Sequence, residues 1–221
     1  MYYHGTEKDS ANIIVSTQKM ELSKGNNHWL GDGCYFYEDV EYAFRWILIS
    51  YTNNFRNEFS ENYSRIFEKY SVLSAELNIQ PHRLFSMENI KHKMIFIETK
   101  NALTNKAQTS KKYKSLIEQN GIVDGVVFNY LFKYQRYNKE FDAVKAVFPI
   151  SYVFDNSRID FLPEPQICIK NINIISNYKD YSSEVVLDEC ETFIIKYNEI
   201  KKSLKKNVNK YKKTRTTIKY R

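Results

Sequence analysis

A few residues near the start of this 221-residue chain have the side chains and spacing needed to hold a planar polar ligand. His4-Gly5-Thr6 follows the extended opening Tyr2-Tyr3. At a strand end it would set an imidazole and a hydroxyl two residues apart on one face, with a glycine that lets a ligand approach the backbone. Tyr35, within Cys34-Tyr35-Phe36-Tyr37, belongs to the next aromatic strand, and Trp46 to the helix after it. Their rings could face each other across a slot and stack a heteroaromatic ring such as nicotinamide. The same residue types also serve as ordinary core, since strand tyrosines and helix tryptophans usually pack inward.

The elements that must position them follow from pattern. The opening reads strand, turn, helix: Glu7-Lys8-Asp9-Ser10 offers N-cap chemistry before Ala11, Ile14 and Val15 at helical spacing. Gly31-Asp32-Gly33 marks a turn before the strand at Cys34, and Asp39 can cap a helix carrying Tyr42, Ala43, Trp46, Ile47 and Ile49. Residues 53 to 70 read as helix or lid, and Val72 to Ile79 as a strand. Residues 86 to 120 hold helix, with a late amphipathic stretch around Tyr113, Leu116 and Ile117. Val126-Val127-Phe128, Ala143 to Phe148 and Gln166 to Ile169 are short and β-rich, as core strands are. The plan is α+β in one body, without internal repeats or a linker.

Composition bounds the class. With 43% hydrophobic and 15% aromatic residues the chain can build one sizeable core. The longest apolar run, Ala43 to Ile49, is interrupted by Arg45, so no membrane span is expected, and the N-terminus lacks an export signal, which points to the cytoplasm. Cys34, Cys168 and Cys190 form no CxxC pair, and His28, His82 and His92 have no metal-ligand spacing. The cysteines are expected as reduced thiols and the three histidines as surface residues, with no metal. Cys34 points to the strand face opposite Tyr35 and is expected to pack. The net charge of +7 is a property of the end: residues 196–221 hold eleven Lys or Arg and one acid, leaving 22 bases and 25 acids, net −3, for residues 1–195. A body over 1–195 and a basic tail over 196–221 follow, the tail suited to an acidic partner such as nucleic acid.

In combination, these segments resemble the poly(ADP-ribose) polymerase and diphtheria-toxin class of ADP-ribosyltransferases. Tyr3-His4-Gly5-Thr6 is similar to that family's histidine-glycine-serine/threonine strand, and Gly31-Asp32-Gly33-Cys34-Tyr35-Phe36 to its glycine-x-glycine-x-tyrosine-phenylalanine strand. Trp29-Leu30 before that strand, then Glu38, Ala43 and Trp46, resemble a bacterial, toxin-like branch. The resemblance covers roughly residues 2 to 175 and is concentrated in the first fifty. It implies a split β-sheet core with flanking helices and NAD as co-substrate. By that resemblance His4 would bond the adenosine ribose, Gly5 and Thr6 the nicotinamide amide, and Tyr35 and Trp46 would stack on the ring. The family's third catalytic residue, a glutamate on a late strand, falls at Gln166, with Glu164 two residues earlier on the same face as competitor. Lys145 would meet the pyrophosphate or the acceptor.

The activity so implied is NAD-dependent mono-ADP-ribosyl transfer to a macromolecule, with nucleic acid favoured by the tail and protein an alternative. It suits an intracellular bacterial toxin or phage-defence effector, which an antitoxin would accompany. A glutamine at 166 can hydrogen-bond a ribose hydroxyl but cannot take its proton, which favours adding one unit over chain elongation. Two other readings use the same residues: an NAD glycohydrolase, and an inactive nucleic-acid-binding module.

Overall fold

The computed structural model describes residues 1–25, 28–55, 65–109, 123–149, 163–185, 187–196 and 199. Strand β1 (Tyr2–Glu7) runs directly into helix α1 (Lys8–Thr17), with no intervening turn. Then come β2 (Cys34–Phe36), α2 (Val40–Asn54), the short α3 (Ile66–Lys69), β3 (Tyr70–Leu77), β4 (Leu84–Ser86) and α4 (Ile90–Gln108). Helix α5 (Asp124–Lys133), β5 (Ala143–Pro149), β6 (Pro163–Ile169) and β7 (Ile175–Asp180) follow, and residues 187–196 are helical. The strands form two sheets, in the orders β1-β3-β7 and β2-β6-β5-β4, antiparallel throughout except for the β4–β5 pair. The mixed α+β architecture expected from the sequence is present.

The two sheets touch along one seam. Tyr3 and Tyr37 exchange both main-chain hydrogen bonds, each 2.8 Å, and among the described residues this is the one bridge between β1 and β2. Side chains alternate across it. On one side, Cys34, Phe36, Leu73, Ala75, Ile167 and Ile169 pack with Ala11 and Ile14 of α1. On the other side, α2 covers the first sheet through Ala43, Phe44, Ile47 and Leu48 against Tyr70 and Val72. On that same side α4 and α5 cover the second sheet, where Phe85, Val144, Ala146 and Cys168 meet Phe96, Val127, Phe128 and Leu131.

Several local expectations are corrected. Val126-Val127-Phe128 is not strand but part of α5, which buries Gly125, Val127, Phe128, Leu131 and Phe132. That 3.6-residue period outweighs the β-propensity of a three-residue window. Glu7 and Asp39 occupy the N-cap positions of α1 and α2, yet neither side chain makes a cap bond. The side-chain cap is on α4, where Asn89 accepts from the Lys91 N–H. Strands β4 and β7 and the helix at 187–196 were not foreseen. The stretch around Tyr113, residues 56–64 and most of the tail lie outside the described residues; of the rest of 53–70, residues 53–54 end α2, 66–69 form α3 and Tyr70 opens β3. None of the helices among the described residues is long and apolar enough to cross a membrane.

Gly5 is where β1 meets α2 most closely. A Cβ there would sit 2.6 Å from Ile47 Cγ2 and 2.8 Å from the Ala43 carbonyl oxygen. The need for glycine at this position thus exists before any ligand arrives. Gly5→Ala is expected to destabilise the ligand-free protein by about 1–3 kcal/mol, the usual cost of overpacking, read as a lower midpoint in urea unfolding.

Candidate functional site

The sequence-derived candidates divide between the two sides of the seam. Gly5, Tyr35, Glu164 and Gln166 lie on the side covered by α2, α4 and α5, and Trp46 is on α2 itself. His4 and Lys145 lie on the α1 side, as does Thr6 by strand alternation. The His4 ring is 5.5 Å from that of Phe36, a core residue of that side. Lys145 pairs across β5–β6 with Ile167 and donates to Glu38 Oε1 at 2.8 Å. Burial would depress the Lys145 ammonium, but the Glu38 carboxylate outweighs it and raises the pKa. The shared face expected for His4 and Thr6 is therefore opposite the one that carries the aromatic and acidic candidates.

One bond still ties His4 to that set. Its Nδ1 lies 2.7 Å from the main-chain oxygen of Tyr35. A carbonyl only accepts, so Nδ1 carries the hydrogen. Burial lowers the pKa of His4, which at neutral pH leaves the ring uncharged with Nε2 as an acceptor. This bond replaces the next step of the β1–β2 ladder. Tyr3 points its N–H and C=O at β2, and in an antiparallel strand the residue two further on, Gly5, points the same way. The ladder ends before Gly5, so its backbone amide borders the gap between the strands. Trp46 Cε3 stands 3.1 Å from where a Gly5 Cβ would be, and Trp46 is 42% exposed, which places an indole beside that amide.

Tyr35 is held by its hydroxyl, which donates to the Gly31 carbonyl at 2.6 Å and accepts from the Leu30 N–H at 3.0 Å. Burial raises its pKa, so it stays a neutral phenol. The glycine turn it grips is fastened from three further directions. Lys170 Nζ donates to the carbonyls of Leu30 and Asp32, Asn129 bonds Asp32 through both main chain and side chain, and Lys133 pairs with the Asp32 carboxylate at 3.0 Å. Burial alone would raise the Asp32 pKa; the Lys133 and Asn129 bonds bring it down. Gly31 has φ +77°, and a Cβ there would lie 2.9 Å from the Gly125 carbonyl, so α5 presses directly on the turn. The rings of Tyr35 and Trp46 make no contact with each other; that of Tyr35 lies 5.4 Å from His28.

Gln166 and Glu164 are both buried, at 6% and 4% exposure, in the part of β6 that pairs with β5 just beyond the last β2 partner, Ile167. They form one unit: Gln166 Nε2 donates to Glu164 Oε1 at 2.7 Å, and Arg45 of α2 donates to Oε2 at 2.8 Å. Tyr42 of α2 donates to the Pro163 carbonyl, and Tyr37 is buried near the pair, its pKa raised by burial and then by the Glu164 charge. Arg45 and Tyr37 were not singled out in the sequence. Arg45 had registered as the charge interrupting an apolar run, and a charge inside an otherwise buried helix face is the signal of a buried partner.

Cys34 packs as expected, 2% exposed, its thiol pushed up to about 12 by burial. His28 and His92 are not surface residues: both are half-buried, His92 stacked on Phe85 at 4.5 Å, whereas His82 is exposed. Among the described residues no group of three His, Cys, Asp or Glu is placed to hold a metal ion.

Two outcomes follow from this geometry. Arg45→Met leaves the Glu164 carboxylate buried without its cation and is expected to cost about 3–5 kcal/mol, most of it recovered in Arg45→Met/Glu164→Leu; urea unfolding of the four cycle members measures both. For His4, the unfolded imidazole titrates near 6.5 and the folded one lower. The unfolded state therefore binds more protons as pH falls below 6.5, and stability falls with it. In His4→Gln the slope of stability against pH just below 6.5 should be shallower than in the parent, with the part due to His28, also depressed by burial, remaining.

No family model matches the chain, and no solved structure matches it. Among curated proteins it is 33% identical to the uncharacterized protein MJ0359 of Methanocaldococcus jannaschii, a similarity that covers 90% of this chain and 94% of that one. The name of that relative assigns it no activity. With this identity over nearly the full length of both, the chain belongs to the same family as the Methanocaldococcus jannaschii protein MJ0359.

Proposed function

We propose that the protein is an NAD-dependent mono-ADP-ribosyltransferase acting on a macromolecule. The observation that carries the proposal is the end of the β1–β2 ladder at Gly5. A main-chain N–H and C=O at the open end of a strand pair are complementary to a carboxamide, which needs one acceptor and one donor side by side. Trp46 lies beside that amide, and Tyr35 is anchored on the same side of the seam. A nicotinamide bound at Gly5 would have an aromatic wall, and its ribose would extend toward β6.

There Glu164 supplies the negative charge and Gln166 holds it in place. Each carboxylate oxygen of Glu164 accepts one bond, from Gln166 or from Arg45, and retains a lone pair for a ribose hydroxyl. Breaking the bond from nicotinamide to ribose develops positive charge on the ribose, and a fixed carboxylate nearby stabilises it. Arg45 offsets part of that charge. This suits holding the ribose for one transfer, in which the acceptor's nucleophile forms the new bond to the ribose anomeric carbon and nicotinamide leaves. His4 contributes by fixing the Tyr35 main chain, and its Nε2 can accept from a hydroxyl. The intracellular toxin or defence role, with a partner antitoxin, and the use of Lys145 toward phosphate or acceptor belong to the same proposal.

The test is incubation of the full chain with NAD labelled in the adenylate phosphate, together with total cell lysate, followed by separate nuclease and protease digestion. Label should appear in a macromolecule, and Glu164→Gln or Trp46→Ala should lower nicotinamide release at least about 100-fold, the scale of losing one transition-state contact, with far-ultraviolet circular dichroism unchanged. Unaltered release in both variants would refute the site. Free ADP-ribose as the sole product would make the protein a glycohydrolase.

A further inference from the structure

Helix α5 presents two different faces. Val127, Phe128, Leu131 and Phe132 are buried under the second sheet, while the opposite side carries Tyr130 and leads to Tyr134, which is 74% exposed. The two tyrosine rings, one helical turn apart, lie 5.5 Å from each other at 32°. A large aromatic ring three-quarters in water contributes nothing to the core, and here it forms a small platform with a second ring. The chain then turns at Arg136, in the left-handed conformation at φ 62°, into a short turn at Tyr137–Lys139. Lys133, Arg136 and Lys139 are all exposed, and no acid occurs between Asp124 and Glu140. Lys133 is paired with Asp32. Among the described residues no carboxylate pairs with Arg136 or Lys139.

We infer that this end of α5 is a binding surface for single-stranded nucleic acid, with Tyr134 and Tyr130 stacking a base and Arg136 and Lys139 holding the flanking phosphates. The chemistry selects that partner over a duplex, whose bases are already stacked and offer no free face. It also selects it over an acidic peptide, which would use the cations but leave the ring platform without a role. The surface has a fixed relation to the candidate site. Asn129 and Lys133, on the same helix, bind Asp32 in the glycine turn that Tyr35 grips. A strand laid on Tyr134 is therefore registered against the turn next to the proposed nicotinamide pocket, which makes it the acceptor; that last step rests on the transferase reading, whereas the binding does not.

Fluorescence anisotropy of the full chain with a labelled mixed-sequence 20-nucleotide single strand, and with the corresponding duplex, tests the binding without NAD. Tyr134→Ala should weaken single-strand binding about tenfold, within the range for loss of one stacked base, and leave duplex binding by the basic tail unchanged. Tyr134→Trp should retain it. Arg136→Gln/Lys139→Gln should reduce the magnitude of the salt slope for the single strand by about 1.4, at about 0.7 per phosphate contact. Unchanged single-strand affinity in Tyr134→Ala would overturn the inference, as would full competition by polyglutamate at equal charge, which would assign the surface to an acidic protein. Nicotinamide release without an acceptor, measured in parallel, should be the same in Tyr134→Ala and parent. Its absence from both with acceptor-bearing lysate present as well would remove the transferase reading and leave the binding result standing.

Discussion

The arrangement of the site depends on the ion pair between Arg45 and Glu164. Helix α2 packs mainly on the first sheet, and β6 is an inner strand of the second, so this bond, with that of Tyr42 to the Pro163 carbonyl, clamps a helix of one sheet to a strand of the other. Because, among the described residues, the sheets share a single bridged pair of main chains, at Tyr3 and Tyr37, their relative angle would otherwise be weakly determined. The pair is buried, and a buried pair adds little stability relative to apolar replacements of the same shape. What it supplies is registry. The packing of α2 on the first sheet sets Trp46 against Gly5, and the ion pair sets Glu164 and Gln166 at the same end of the seam.

Gly5 meets two demands. Its missing side chain is filled by Ile47 and by the Ala43 carbonyl, so packing alone requires glycine there. Its main chain faces the open end of the ladder, so the carboxamide reading uses the same residue for an independent reason. A substitution at Gly5 thus confounds stability with function, whereas Trp46, partly exposed, separates them; Glu164→Gln keeps the shape of the side chain but leaves Arg45 without its counter-ion, so its stability is read beside its activity.

The sequence made the seam legible because short motifs encode it. The glycine turn, the aromatic strand after it and the helix carrying Trp46 could each be read from local spacing, and the structure has all three. The side on which each residue lies was not legible. Alternation puts the adjacent His4 and Gly5 on opposite faces, but which face meets Phe36 and which meets Ile47 is a consequence of sheet pairing that no local pattern states. Arg45 was hidden for a similar reason: its partner is 119 residues away, and a charged residue on a helix reads as solvent-facing until the partner is known. Helix α5 was misread because Val126-Val127-Phe128 was judged as three residues rather than as part of a ten-residue amphipathic period. The uncertainty between Gln166 and Glu164 was real in the sense that both belong to one hydrogen-bonded unit, and choosing either alone would have missed half of it.

Where a strand pair parts, its main-chain polar groups must find other partners or remain with water. At this seam the parting is prepared on the β2 side. The Tyr35 carbonyl takes the His4 imidazole, and the Tyr35 phenol returns to the Leu30 and Gly31 backbone, so the end of β2 is satisfied without β1. The neutral ring of His4 suits this task because burying an imidazolium beside Phe36 would cost desolvation that one carbonyl does not repay. Among the described residues the β1 side has no such internal partner at Gly5. In the transferase proposal, an opening closed on one strand and bordered by an amide on the other would orient an incoming carboxamide, its N–H toward the Gly5 carbonyl and its oxygen toward the Gly5 N–H. Nicotinamide orientation would then be fixed before any contact with Glu164.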